Sequence, residues 1–148
     1  MTRIYRYQGA ILRDHHILLV RHQEHESGRD YWLVPGGGRE PGESEEECVI
    51  REMQEETSLT VRVERLLFKE HWQDDPGPYR GAKTYLCTPI SGEAKPGHEP
   101  EPEAAAWYAI VEVRWVDLRD EASWGEKITN DPFTYPFLKK VQAALAYE

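Results

Sequence analysis

Cysteine, methionine and phenylalanine are scarce in this chain, and long apolar runs are missing. There are two cysteines, two methionines and three phenylalanines in 148 residues. Cys48 and Cys87 make no C-x-x-C pattern, which excludes a patterned thiol site and leaves two buried, free thiols in a reducing compartment as the expectation. No stretch approaches the ~18–20 apolar residues that a membrane span needs. The opening segment MTRIYRYQGAILRD lacks the apolar h-region of a secretory signal, so a cytoplasmic protein without membrane attachment is expected. Cations are also in deficit, 18 Lys and Arg against 27 Asp and Glu, for a formal charge of −9. That balance argues against a sequence-nonspecific binder of nucleic-acid polymers. It leaves a small phosphate ester open, because metal ions neutralise site and substrate together. What remains is 39% hydrophobic and 30% charged, in keeping with one domain over residues 1–148 and a real core.

One stretch stands out, Gly36 to Leu59. Eight glutamates fall between Glu40 and Glu56, and Arg51 is the one cation among them. Like charges at helical spacing cost roughly 0.2–0.5 kcal/mol per pair, and a divalent cation is the simplest group to offset that repulsion. Oxygen-only ligands favour a hard ion, Mg2+ or Mn2+. Gly36, Gly37, Gly38 and Gly42 make a loop that brings backbone close to a ligand. Ser44 reads as a helix N-cap, and Glu47 three residues on completes a capping box. The helix is expected from about Glu45 to Thr57, with Val49, Ile50 and Met53 as its buried stripe. Glu52, Glu55 and Glu56 recur at three- and four-residue steps and project together on a neighbouring face. Three carboxylates beside a glycine loop suit a metal held against phosphate oxygens.

These residues resemble the Nudix box: a glycine, a glutamate after five residues, then Arg-Glu-apolar-x-Glu-Glu-x-Gly-apolar after seven more. The positions here are Gly37, Glu43, Arg51, Glu52, Met53, Glu55, Glu56, Ser58 and Leu59. One departs from the pattern: Ser58 stands where the family has the glycine that ends the helix in a left-handed turn. A non-glycine residue there costs on the order of 1 kcal/mol and touches no carboxylate.

Around the box the chain reads as strands, one acidic helix, more strands and a terminal helix. Ile4–Leu12 and Ile17–Val20 form a hairpin across Asp14-His15-His16, whose histidines are exposed turn residues ahead of metal ligands. Tyr31–Val34 delivers the chain to the glycine loop. Strands follow over Thr60–Trp72, Lys83–Ile90 and Trp107–Val116, separated by Gln73–Gly81 and the acidic loop Glu93–Glu103. A terminal helix runs from roughly Pro136 to Tyr147. The order suggests a mixed sheet between helices, and the resemblance implies the same, an α/β/α sandwich of the Nudix type.

The resemblance also implies a reaction: Mg2+-dependent hydrolysis of a diphosphate linkage in a nucleoside diphosphate derivative, with the barrier set mainly by charge on phosphate oxygens. Glu52, Glu55, Glu56 and the Gly36 carbonyl are the implied metal ligands, and Glu43 and Arg51 the residues that hold the site's geometry. Glu55 and Glu112 are the candidate general bases, with Glu99, Glu101 and Glu103 as rivals. Arg21 is a candidate phosphate contact, though it reads more readily as a surface charge. Tyr31, Trp72, Tyr79 and Tyr85 are candidate stacking surfaces for a base, though aromatics in strands are more often core. A homodimer is a family-level expectation. Two other readings stand beside this one: a Nudix-like nucleotide-binding or regulatory domain without turnover, and an acidic domain whose glutamates only face solvent. Only the last denies metal binding.

Overall fold

The computed structural model describes residues 5–72, 78–97, 105 and 107–147. It begins with a hairpin, β1 (Tyr5–Arg13) and β2 (His16–Glu24), in which Arg13 faces His16 across a two-residue turn. Asp14 and His15 both take positive φ, 49° and 66°. That is the backbone whose twist matches paired strands, and short polar residues tolerate it best. β3 (Asp30–Leu33) and the two-residue β4 (Gly36–Gly37) lead to α1 (Glu45–Thr57). Two long strands follow, β5 (Thr60–His71) and β6 (Gly81–Ser91), then β7 (Tyr108–Asp117). A 3-10 turn at Glu121–Ser123, a short helix α2 (Glu126–Thr129) and α3 (Thr134–Ala144) complete the order.

The strands make one seven-stranded mixed sheet. β1 and β6 run parallel, and the other pairings are antiparallel. β2 shares one edge between β1 and β3 and gives the other to β7. Side chains alternate across a strand, so the sheet feeds two cores. On one face Tyr7, Ile11, Leu18, Tyr85 and Cys87 meet Cys48, Val49 and Met53 of α1. On the other Ala10, Ile17, Leu19, Trp32 and Val116 meet Trp124, Ile128 of α2, and Leu138 and Val141 of α3. Helices therefore cover both faces, and the expected mixed sheet and α/β/α sandwich are what the chain forms. No helix among the described residues is long and apolar enough to cross a membrane.

The buried stripe of α1 differs from the expected one. Ile50 is 38% exposed, and Cys48 lies in the core with Val49 and Met53. Cys48, one turn before Glu52, shares the inward face, and the larger Ile50 rotates outward. Both cysteines are free and buried, and burial pushes each thiol up to about 12. α3 starts two residues before Pro136, where Asp131 Oδ1 accepts the Phe133 and Thr134 N–H groups at 2.8 and 2.9 Å. Pro136 then sits in the first turn, where its missing N–H costs nothing.

Candidate active site

Local sequence builds α1 from both ends. At the start, Ser44 Oγ accepts the Glu47 N–H at 3.1 Å, and Glu47 Oε1 accepts the Ser44 N–H at 2.9 Å. This reciprocal pair satisfies two orphan donors. At the end, Ser58 takes φ 68° and its N–H reaches the Gln54 carbonyl at 3.1 Å. The left-handed turn that glycine usually makes is thus formed by serine. The following loop finishes the cap: the Lys95 N–H donates to Thr57 O at 3.0 Å, and the Gly97 N–H to Glu56 O at 2.9 Å. The acidic loop is therefore tied to the helix terminus at its first residues. Glu99, Glu101 and Glu103, the rival bases, lie outside the described residues.

Arg51 organises the carboxylates. Its guanidinium meets Glu43 through Nε at 2.7 Å and Nη2 at 3.0 Å, a two-pronged pairing of fixed geometry. Nη1 reaches Glu52 Oε1 at 2.9 Å and Glu55 Oε2 at 3.2 Å. Nη2 also reaches the Gly38 carbonyl at 3.0 Å, which pins the loop to the helix. The hydrogen bond from Arg51 holds the Glu43 carboxyl below the usual carboxylate range, and the same bond raises the Arg51 guanidinium. Glu52 and Glu56 are buried, at 4% and 1% exposure, while the Glu55 side chain keeps 23%. Glu56 Oε1 accepts the Gly36 N–H at 3.4 Å. A Cβ on Gly37 would lie 2.4 Å from the Glu52 carboxylate, so only glycine lets the loop lie on that group.

These residues suit a hard divalent cation in chemistry and charge. All the side-chain donors are carboxylate oxygens. Three carboxylates, Glu43, Glu52 and Glu55, meet one guanidinium, and Glu56 lies buried on the same helix against the Gly36 N–H. Among the described residues, no three His, Cys, Asp or Glu side chains already stand as a closed cage. Arg51 explains this, because it draws Glu52 and Glu55 toward itself.

Several expected site residues lie elsewhere. The Gly36 carbonyl accepts Arg6 Nη2 at 3.2 Å, while the Gly36 N–H faces Glu56; the residue offers its donor, and not its oxygen, to the carboxylates. Glu112 is not brought to α1. It faces Arg21 across the β2–β7 ladder, and Arg21 reaches Glu112 at 2.7 Å and Asp30 at 2.6 Å. Asp30 in turn meets Lys127 of α2 at 2.5 Å, so this network lies on the α2–α3 face, opposite the carboxylate helix. A register shift at Arg21/His22 intervenes in this ladder, and the face of a strand residue follows from such pairings. Arg21 accordingly has its charge balanced by two carboxylates.

Tyr85 is core: it is 8% exposed, and its hydroxyl bonds Glu45 of α1, so burial and then this bond raise its pKa. Tyr31 is half-buried beside Arg29, whose guanidinium carbon lies 5.2 Å from the ring centroid. Trp72 and Tyr79 are half-buried at the β5–β6 turn, where the Trp72 N–H donates to Arg80 O at 2.9 Å. His15 is bound to Tyr147 at 2.5 Å, on a hairpin remote from α1. Two buried groups escaped the sequence reading. His22, 4% exposed, stacks on Tyr108 with centroids 4.2 Å apart, and burial pushes it down to about 3. Arg6, 9% exposed, lies beneath the glycine loop. The polar pair Arg6-x-Gln8 on one face of an otherwise apolar strand was the available signal for it.

Comparison with known proteins agrees with this geometry. The family model described as NUDIX domain matches residues 6–140. An NAD-capped RNA hydrolase NudC of Photorhabdus laumondii is 37% identical over 100 residues, covering 67% of this chain and 36% of that protein. An ADP-ribose pyrophosphatase of Methanocaldococcus jannaschii is 35% identical over 92 residues, covering 62% of this chain and 54% of that one. The chain thus spans about a third of the length of that NudC and about half of the pyrophosphatase. Among solved structures, a NUDIX hydrolase from Nitrosomonas europaea superposes with a TM-score of 0.73 at 22% identity, covering 98% of this chain and 92% of that one, a likeness of fold. A box with its arginine and four glutamates in place, on this sandwich and under a family match across most of its length, makes this chain a member of the Nudix family.

Proposed function

We propose that the chain hydrolyses a phosphoric anhydride in a nucleoside diphosphate derivative, using Mg2+ or Mn2+ held by Glu52, Glu55 and Glu56. The observation that carries this reading is the gathering of Glu52, Glu55 and Glu56 on one helix, with Glu52 and Glu56 buried under a glycine loop that touches both. When bound, a hard divalent ion supplies charge neutralisation at the oxygens of the diphosphate. The protein's own part is to hold and orient. Glu43 and Arg51 fix the helix to the loop, and Gly36 steadies Glu56 through its N–H. Glu55, the most exposed carboxylate of the α1 three, takes the proton from the attacking water.

The relatives' printed names refer to an NAD cap and to ADP-ribose. Both contain adenosine joined through a diphosphate to a second ribosyl group, so we take that class as the first substrates to try. Tyr31, Trp72 and Tyr79 are the aromatic surfaces offered to the base. A cytoplasmic homodimer belongs to the same reading, and sedimentation and cell fractionation test it.

The deciding experiment is a phosphate- and nucleotide-release screen over ADP-ribose, dinucleoside polyphosphates, nucleotide sugars and nucleoside triphosphates, with and without Mg2+. Metal-dependent release is expected with at least one diphosphate, and Glu56→Gln should lower it by at least about a hundredfold, beyond the 10–100-fold usual for groups behind a metal ligand. Turnover retained in that variant would overturn the assignment of Glu56.

A further inference from the structure

We propose that Arg6 is a positioning residue that braces the peptides on either side of the Pro35–Gly36 peptide and, through the Gly36 N–H, the Glu56 carboxylate; this rests on the reading of α1 as the catalytic element. Arg6 is a buried cation whose observed acceptors are all neutral: Gln8 Oε1 at 2.6 Å, the Val34 carbonyl at 3.0 Å and the Gly36 carbonyl at 3.2 Å. Burying a guanidinium without a counter-charge is unfavourable, and Ala10, on the same face of β1, shows that a small apolar side chain packs there. What Arg6 provides is a clamp. The carbonyls of Val34, Pro35 and Gly36 are each taken: the outer two by Arg6 and the middle one by the Gly9 N–H at 3.1 Å. Gln8 is itself turned toward Arg6, because its Nε2 donates to Thr84 Oγ1 at 3.0 Å.

The clamp matters because of the peptide that lies between the two carbonyls Arg6 holds. That Pro35–Gly36 peptide carries the N–H that donates to Glu56 Oε1, and its own carbonyl is taken by Gly9. With the Val34 and Gly36 carbonyls held on either side, the dihedral angles flanking this peptide are restrained, and so is the direction of the Gly36 N–H. Arg51 does the corresponding work two residues on, at the Gly38 carbonyl. The glycine loop is thus held between two arginines, one from the helix and one from β1. Only the first belongs to the box. Arg6 has the fork geometry needed to hold two carbonyls and a side-chain amide at once, which a lysine ammonium lacks.

The test compares wild type, Arg6→Met and Arg6→Lys in three readouts: steady-state kinetics on the best substrate of the screen, Mn2+ binding by calorimetry without substrate, and hydrogen exchange of the Gly36 amide. Arg6→Met should exchange Gly36 faster, bind Mn2+ more weakly and lose roughly 10–100-fold in kcat, with KM within about threefold. Its melting temperature should hold or rise, since a buried charge is gone. Arg6→Lys should recover part of the kcat and little of the Gly36 protection. Should Arg6→Met fail to fold, Arg6→Lys carries the same comparison. Unchanged kcat and Gly36 exchange would overturn the proposal. So would a loss confined to KM, which would make Arg6 a substrate contact. If the wild type hydrolyses nothing, the functional reading fails, while Gly36 exchange and Mn2+ affinity still decide whether Arg6 sets the loop.

Discussion

Two arginine networks lie on opposite faces of the same sheet, and they differ in how far their charges are buried. Arg21, Asp30, Glu112 and Lys127 hold two cations and two carboxylates, and they tie β2, β3, β7 and α2 together at the protein's surface. Arg51 meets Glu43, Glu52 and Glu55, with Glu56 buried alongside. The first network is complete as it stands and returns modest stability, as exposed pairs do. The second gathers carboxylates and keeps them largely out of water. That arrangement is costly for a fold and useful for holding a cation. The comparison separates Glu112 from the box glutamates: both are carboxylates beside an arginine, and Glu112 is the more exposed.

The comparison breaks most sharply at Arg51. Arg51→Leu should cost about 2–4 kcal/mol in urea unfolding, because Glu43, Glu52 and Glu55 lose the guanidinium they share in a mostly buried place. Loss of less than about 1 kcal/mol would mean that the cluster is effectively solvated. A smaller effect is expected with pH. Arg51 holds Glu43 below the usual carboxylate value of 4.5, so Glu43 stabilises the fold fully above that value, and this share is lost as pH falls through the depressed one. Wild type should therefore exceed Glu43→Gln in stability near neutrality, and the gap should close below about pH 4.5. A gap that widens in acid would reverse the sign of the argument. Least affected should be Glu112→Gln, with turnover within about threefold of wild type and the unfolding midpoint little moved, as for exposed pairs. A hundredfold loss there would make Glu112 catalytic after all.

The parts of the site that local sequence determines were legible in advance. The capping box of Ser44 and Glu47, the helix limits and the left-handed Ser58 all depend on residues within a few positions of one another. The alternation of the strands and the two-sided sandwich followed from pattern and order. What the sequence hid depends on pairing between distant segments. Glu112 lies on the α2–α3 face because β7 pairs with β2 in a register that sets it opposite Arg21 and in phase with the core residue Val116. Tyr85 is core, as strand aromatics more often are, and what the sequence did not show is the Glu45 partner of its hydroxyl at the start of α1. Arg6 acts on Gly36 across 30 positions, and α2 is too short to leave a periodic signal. Ile50 and Cys48 exchange places because hydrophobicity alone does not say which apolar residue of a helix faces inward.

The central claim is that the box carboxylates bind a divalent ion that the rest of the surface does not. Calorimetric titration with Mn2+ of the wild type and of Glu52→Gln/Glu56→Gln, both checked for an intact fold by circular dichroism, tests it directly. The account predicts saturable binding in the wild type and its loss in the double variant. Equal binding by the two proteins, or none by the wild type, would contradict it.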